Sequence, residues 1–141
     1  MLVIKCKKTH QNATLPKPNQ DGDAGLDLTC AVWEIQGSQF IVDTGIAIDL
    51  PRGCPALLLP RSSIVNTGLR LANGVGLIDP NYRGSLKLVF DIVDKTKDRY
   101  KIGDRVGQLL VLRNIAPVQC IETAELSPSN RGTKGFGSSG K

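Results

Sequence analysis

Apolar residues in this chain come in short alternating or continuous runs. They cover Leu2–Cys6, Phe40–Leu50, Ala56–Leu59, Leu86–Val93 and Val106–Asn114, with a weaker run over Gln119–Glu122. Each run has the length of a strand, and Gly, Pro, Asp or Asn stands in nearly every gap. No window of a dozen residues holds a convincing helical period. The best case for a helix is a single turn after Ser62, stopped by Gly68. Many short strands joined by such turns predict an all-β domain: a sandwich, a jelly roll or a small barrel. No internal repeat is visible.

Composition changes after Leu126. The segment Ser127–Lys141 holds four Gly and four Ser, with Phe136 as its one large apolar side chain. Such a segment buries too little surface to offset its own ordering entropy. The predicted organisation is one β domain over residues 1–126 and a flexible glycine-rich C-terminal arm over 127–141 that needs a partner to order it. The chain's 141 residues suffice for one such core. Extended, the arm spans up to roughly 50 Å, enough to reach a neighbouring subunit.

Lys and Arg exceed Asp and Glu by 18 to 13, a net charge of +5. That excess suits a polyanion, either a phosphorylated small molecule or nucleic acid, and serves solubility equally well. The basic residues are scattered, and three Phe, two Tyr and one Trp are few for base stacking, so no nucleic-acid partner is required. Cys6, Cys30, Cys54 and Cys120 lie far apart with no CxxC pair, and His10 is the single histidine, which argues for reduced structural cysteines rather than a zinc site. The N-terminal MLVIKCKKTH has too short an apolar run for a signal peptide. No segment approaches the roughly 18 apolar residues of a membrane span. A cytoplasmic or nuclear setting without a membrane partner is the expectation.

The chemistry concentrates in two stretches. NGVGLIDPNYRG, Asn73–Gly84, places the Asp79 carboxylate and the Tyr82 ring on the tight turn of a hairpin between two apolar strands. A carboxylate there could accept the proton of a water attacking phosphorus. RGTKGFGSSG, Arg131–Gly140, is a glycine-rich arm whose N–H groups and hydroxyls suit phosphate oxygens. Upstream, PRSS at Pro60–Ser63 offers a guanidinium and two hydroxyls at a strand end. Together they suggest a nucleotide-handling site.

With AGLDL at Ala24–Leu28 and GDRVGQL at Gly103–Leu109, five segments stand in an order and spacing that resemble the five motifs of the trimeric dUTP nucleotidohydrolases, the dUTPases. The resemblance spans nearly the whole chain. It implies a distorted jelly-roll, β-clip fold, a homotrimer with shared active sites and Mg2+ as cofactor. It also implies hydrolysis of dUTP to dUMP and pyrophosphate by attack of water at the α-phosphorus, a reaction that limits uracil in DNA and supplies dUMP for dTMP synthesis. Asp79 takes the catalytic role.

By the same resemblance Asn73, Gly76, Leu77 and Ile78 line the uracil pocket, largely through backbone, and Tyr82 packs on the sugar and excludes a ribose 2′-hydroxyl. Arg61, Ser62, Ser63 and Gln108 hold phosphates. From the arm, Arg131, Gly137, Ser138 and Ser139 wrap them while Phe136 stacks on uracil. Lys87 matches a position near substrate in some members, or is a solvated lysine. Asp27 holds a metal-bound water, or fixes the turn at Gly25. Asp104 and Arg105 are expected to form a structural ion pair. Asn81 stands where many members have an acid, Gly107 where alanine is usual, and Lys134 where the arm usually has glycine. One rival is a dCTP deaminase-like enzyme, which needs a glutamate where this chain has Val89; the other is a non-catalytic regulatory binding protein on the same scaffold.

Overall fold

The structure, a computed structural model, describes residues 2–133 and 135. Among these residues nine strands form two antiparallel sheets: β1 Lys5–Lys8, β2 Leu26–Thr29, β3 Val32–Gln36, β4 Gln39–Asp49, β5 Ala56–Pro60, β6 Leu69–Leu71, β7 Gly76–Ile78, β8 Ser85–Ile92 and β9 Arg105–Val111. The first sheet runs β1-β4-β8-β6, with β3 also paired to β4; the second runs β2-β9-β5-β7. One short 3-10 helix, Ser62–Asn66, follows β5 where the sequence suggested a single helical turn. The all-β, jelly-roll-like expectation holds. Among the described residues no helix is long and apolar enough to cross a membrane.

Alternation explains the central strands. Leu86, Leu88 and Phe90 of β8 face inward against Phe40 and Val42 of β4, and Leu28, Leu58, Val106 and Leu109 close the core from the other sheet. β4 loses its alternation after Asp43 because Gly45, at φ 64°, sits in a bulge where the register with β8 slips. A side chain there would meet the His10 Cβ at 2.7 Å, so the bulge also seats the N-terminal loop. Buried Thr44 is satisfied by donating to the Leu86 carbonyl at 2.9 Å.

Three strands, β2, β3 and β6, were not read from sequence, and β7 only as the strand entering the Asp79 turn. Every residue of β3 is exposed, so it shows no alternating burial, and β6 and β7 have three residues each. β2 lies in the AGLDL segment, where two half-exposed residues flank each inward one. Conversely, Gln119–Glu122 forms no strand. β9 ends at Val111 because the chain leaves the sheet there, Leu112 and Ile115 bonding to the Pro55 and Gly53 carbonyls at 2.9 Å each, with Asn114 at φ 56° between them. All four cysteines are free. Burial, with Asp104 and Asp43 adding to it, pushes the Cys30 thiol up to about 11, which keeps it an inert core group.

Candidate active site

The sequence suggested a hairpin around Asp79; the structure corrects this. β7 pairs with β5 in one sheet and β8 with β4 and β6 in the other, so the turn from Asp79 to Gly84 carries the chain between sheets. Its geometry is fixed locally. The Tyr82 N–H donates to the Asp79 carbonyl at 3.0 Å. The Arg83 guanidinium donates to the Pro80 carbonyl at 2.6 Å and the Tyr82 carbonyl at 3.0 Å, and reaches Asp49 of β4 at 2.6 Å. The Tyr82 hydroxyl donates to the Ser85 carbonyl at 3.1 Å, and the phenol end of its ring abuts Gly84, where a Cβ would overlap it. Asp79 itself is exposed, and among the described residues its carboxylate has no hydrogen bond or ion pair.

β7 is the free edge of its sheet, so the backbone groups of Gly76, Leu77 and Ile78 that face away from β5 are unpaired by any strand. Leu77 is exposed, Gly76 is pressed onto Leu58 and the Asn73 amide lies over Gly76. A flat heterocycle with its own donors and acceptors can pair with this edge as a further strand would.

A second group assembles at the opposite end of β5. Asp27, on β2, sits across from Gln108 of β9, which is across from Leu59 of β5. Gln108 donates from Nε2 to the Pro60 carbonyl at 3.1 Å, and Gly25 leaves room for its amide, since a Cβ there would strike Oε1. Asp27, Arg61, Ser62 and Gln108 line one cavity of about 310 Å3 together with Asn19, Asp23, Ala24 and Gly25. Polar walls around a half-buried guanidinium suit an anion. Beside Arg61 and Ser63 lies Tyr100, a residue that no sequence motif singles out. Burial pushes its phenol up, opposed by neighbouring Ser63 and Arg61, and its hydroxyl is buried with no hydrogen-bond partner among the described residues.

Asp27 is the other correction. Arg61 Nε bonds its Oδ1 at 3.0 Å and Arg105 bonds its Oδ2 at 3.1 Å, so Arg105 pairs with Asp27 and not with Asp104. The Asp104 carboxylate instead accepts the Lys101 N–H at 2.7 Å. Both Asp27 oxygens face cations, and among the described residues no three acidic, His or Cys side chains gather to hold an ion directly. Asp27 orients Arg61. Lys87 of β8 lies opposite Asp43, its ammonium 3.7 Å from that carboxylate, on the outer face that alternates with buried Leu86 and Leu88. Arg131 is exposed near the described end of the chain, while Phe136, Gly137, Ser138 and Ser139 fall outside the described residues.

Residues 11–140 match the dUTPase family profile. The chain belongs to the dUTPase family. It is 38% identical to the deoxyuridine 5′-triphosphate nucleotidohydrolase of Corynebacterium glutamicum, across all of this chain and 97% of that one. It is 34% identical to that of Escherichia phage T5, across 98% of this chain and 99% of the other. The Staphylococcus bacteriophage 80alpha dUTPase, solved with dUPNHPP, superposes with a TM-score of 0.84 at 27% identity over the full length of both chains. As a dUTPase-family chain this protein is a hydrolase, and the deaminase alternative lapses: half-buried Val89 on β8 offers no proton donor.

The brace on the Asp79 turn gives a first prediction. Arg83→Ala removes two bonds that shape the turn and one that ties it to Asp49 of β4. Turnover is expected to fall by about tenfold with the melting temperature nearly unchanged, because displacing a reacting group by a fraction of an ångström is costly to rate. Steady-state kinetics beside thermal unfolding checks it; full turnover would remove Arg83 from the catalytic geometry.

Proposed function

We propose that this chain hydrolyses dUTP to dUMP and pyrophosphate, with water attacking the α-phosphorus in line and Asp79 accepting its proton. The observation that carries this reading is an unpaired, exposed carboxylate on a braced turn, directly after an edge strand able to read a base. Uracil presents an N3–H donor and an O4 acceptor where cytosine presents the reverse, so the backbone of Leu77 and Ile78 can distinguish them. Tyr82, held on Gly84, walls the sugar and leaves no space for a 2′-hydroxyl. The phosphates go to Arg61, Ser62, Ser63 and Gln108, with Arg131, Phe136, Gly137, Ser138 and Ser139 of the arm closing over the nucleotide. Lys87, paired with Asp43, is left out of this reading. A Mg2+ ion would come bound to the triphosphate and supply charge neutralisation.

Geometry also supports a shared site in a homotrimer. Ile78 pairs with Ala56, placing Asp79 level with Pro55, whereas Gln108 pairs with Leu59 and Arg61 follows β5. That separation is four to six residues along one strand, or about 13–20 Å. The base-reading strand lies between the two groups. A nucleotide with its α-phosphorus at Asp79 therefore directs its phosphates away from the Arg61 cavity of the same chain and needs that of another subunit. The segment after β9 fits such an assembly: Val118, Ile121 and Leu126 are among the most exposed apolar side chains, at 87, 79 and 87%.

The test is a substrate panel with Mg2+, scored for pyrophosphate and monophosphate. dUTP is expected to exceed dCTP, dTTP and UTP by at least about 100-fold in kcat/KM, and Tyr82→Ala to raise UTP relative to dUTP. Comparable wild-type rates on dUTP and UTP would overturn the reading.

A further inference from the structure

Four of the basic residues alternate along one short stretch, KTKDRYK at Lys95–Lys101. Lys95, Lys97, Arg99 and Lys101, all in the loop between β8 and β9, line a shallow depression of about 260 Å3 together with Trp33 of β3. Asp98 is the one carboxylate lining it. Asp94, at the loop's start, is occupied by the Thr96 N–H at 2.9 Å and the Thr96 hydroxyl at 2.6 Å. Among the described residues none of the four cations is in an ion pair. Arg99 Nε is buried without a hydrogen-bond partner.

Trp33 is the chain's single tryptophan and is 44% exposed. Its ring rests on buried Phe40, with centroids 5.3 Å apart, so one side is anchored in the core and the rest of the indole is open beside the cations. β3 is paired only to β4, leaving its other edge uncovered. Buried Tyr100, the neighbour of Arg61 and Ser63, also lines the depression, but Trp33 and the four cations are not part of the nucleotide site described above.

We infer that the face formed by Trp33 and the 95–101 loop binds single-stranded nucleic acid. A flexible backbone can set successive phosphates on Lys95, Lys97, Arg99 and Lys101 while an unstacked base lies on the indole. Duplex is disfavoured, because its bases are already stacked and the face presents no helix or ribbon to enter a groove. An acidic peptide would satisfy the cations and leave the open indole unused. This inference goes beyond hydrolysis and does not depend on it.

The test uses the full-length protein and a fluorescein-labelled 15-nucleotide oligo(dT), followed by anisotropy and by quenching of Trp33. Saturable binding is expected, with log K against log[salt] falling at a slope of about −2 to −3 for three or four phosphate contacts. Lys95→Glu/Lys97→Glu, both exposed, should weaken it tenfold or more, and Trp33→Ala by about fivefold or more. The Lys95→Glu/Lys97→Glu variant should keep its kcat/KM for dUTP within about twofold, since charge changes on this face touch nothing in the site. Unchanged affinity in that variant, displacement by a non-hydrolysable dUTP analogue, equal binding of poly-glutamate, or no quenching of Trp33 would each overturn the inference.

Discussion

Asp79→Asn is expected to slow dUTP hydrolysis by roughly 10²–10⁴-fold while leaving folding and nucleotide binding intact. The amide keeps the size and polarity of the side chain but cannot accept the water's proton. Nothing else in the turn depends on that carboxylate: the bonds that shape it run from the Tyr82 N–H and from Arg83, and Asp79 contributes only its carbonyl. The loss should therefore fall on kcat, with KM and the unfolding midpoint close to wild type. Single-turnover kinetics with an equilibrium measurement of analogue binding separates the two. Near wild-type turnover would remove Asp79 as the base.

The strands that alternate in sequence were the readable ones. β4 and β8 announce themselves because inward Phe40, Val42, Leu86, Leu88 and Phe90 repeat at period two. β3 does not, because its five residues are all exposed and its pairing with β4 is a backbone matter. The Asp79 motif was legible as chemistry and misread as a hairpin, since adjacency along the chain cannot tell which sheet each strand joins. Side-chain partnerships were least legible. Asp27 holds Arg61 and Arg105 from three separate segments, and Arg83 reaches back to Asp49. Gly107 stands where alanine is usual, and a Cβ there would meet the Leu88 Cδ2 at 2.5 Å and the Leu59 carbonyl at 2.9 Å, so glycine matches a close approach of β9 to β5 and to the core side chain of β8.

Deleting Ser129–Lys141 is expected to leave the protein folded and assembled while removing most dUTPase activity. Among the described residues the last strand ends at Val111, the last backbone bonds to the body are those of Leu112 and Ile115, and none of residues 129–133 belongs to the hydrophobic core. A Gly/Ser-rich arm has little to gain from ordering until a ligand fills the site, and its closure then excludes bulk water while retaining the one attacking molecule. Complementation discriminates further. If Asp79 and the arm at one site come from different subunits, mixing the deletion variant with Asp79→Asn under subunit exchange rebuilds sites that take Asp79 from one and the arm from the other. With random assembly of equal amounts, about a quarter of sites carry both. If turn and arm came from one chain, mixing would restore none. Sedimentation of each variant and of the mixture fixes the assembly, and activity regained on mixing reads the sharing. A fully active monomer, or unchanged turnover after deletion, would defeat the shared-site trimer.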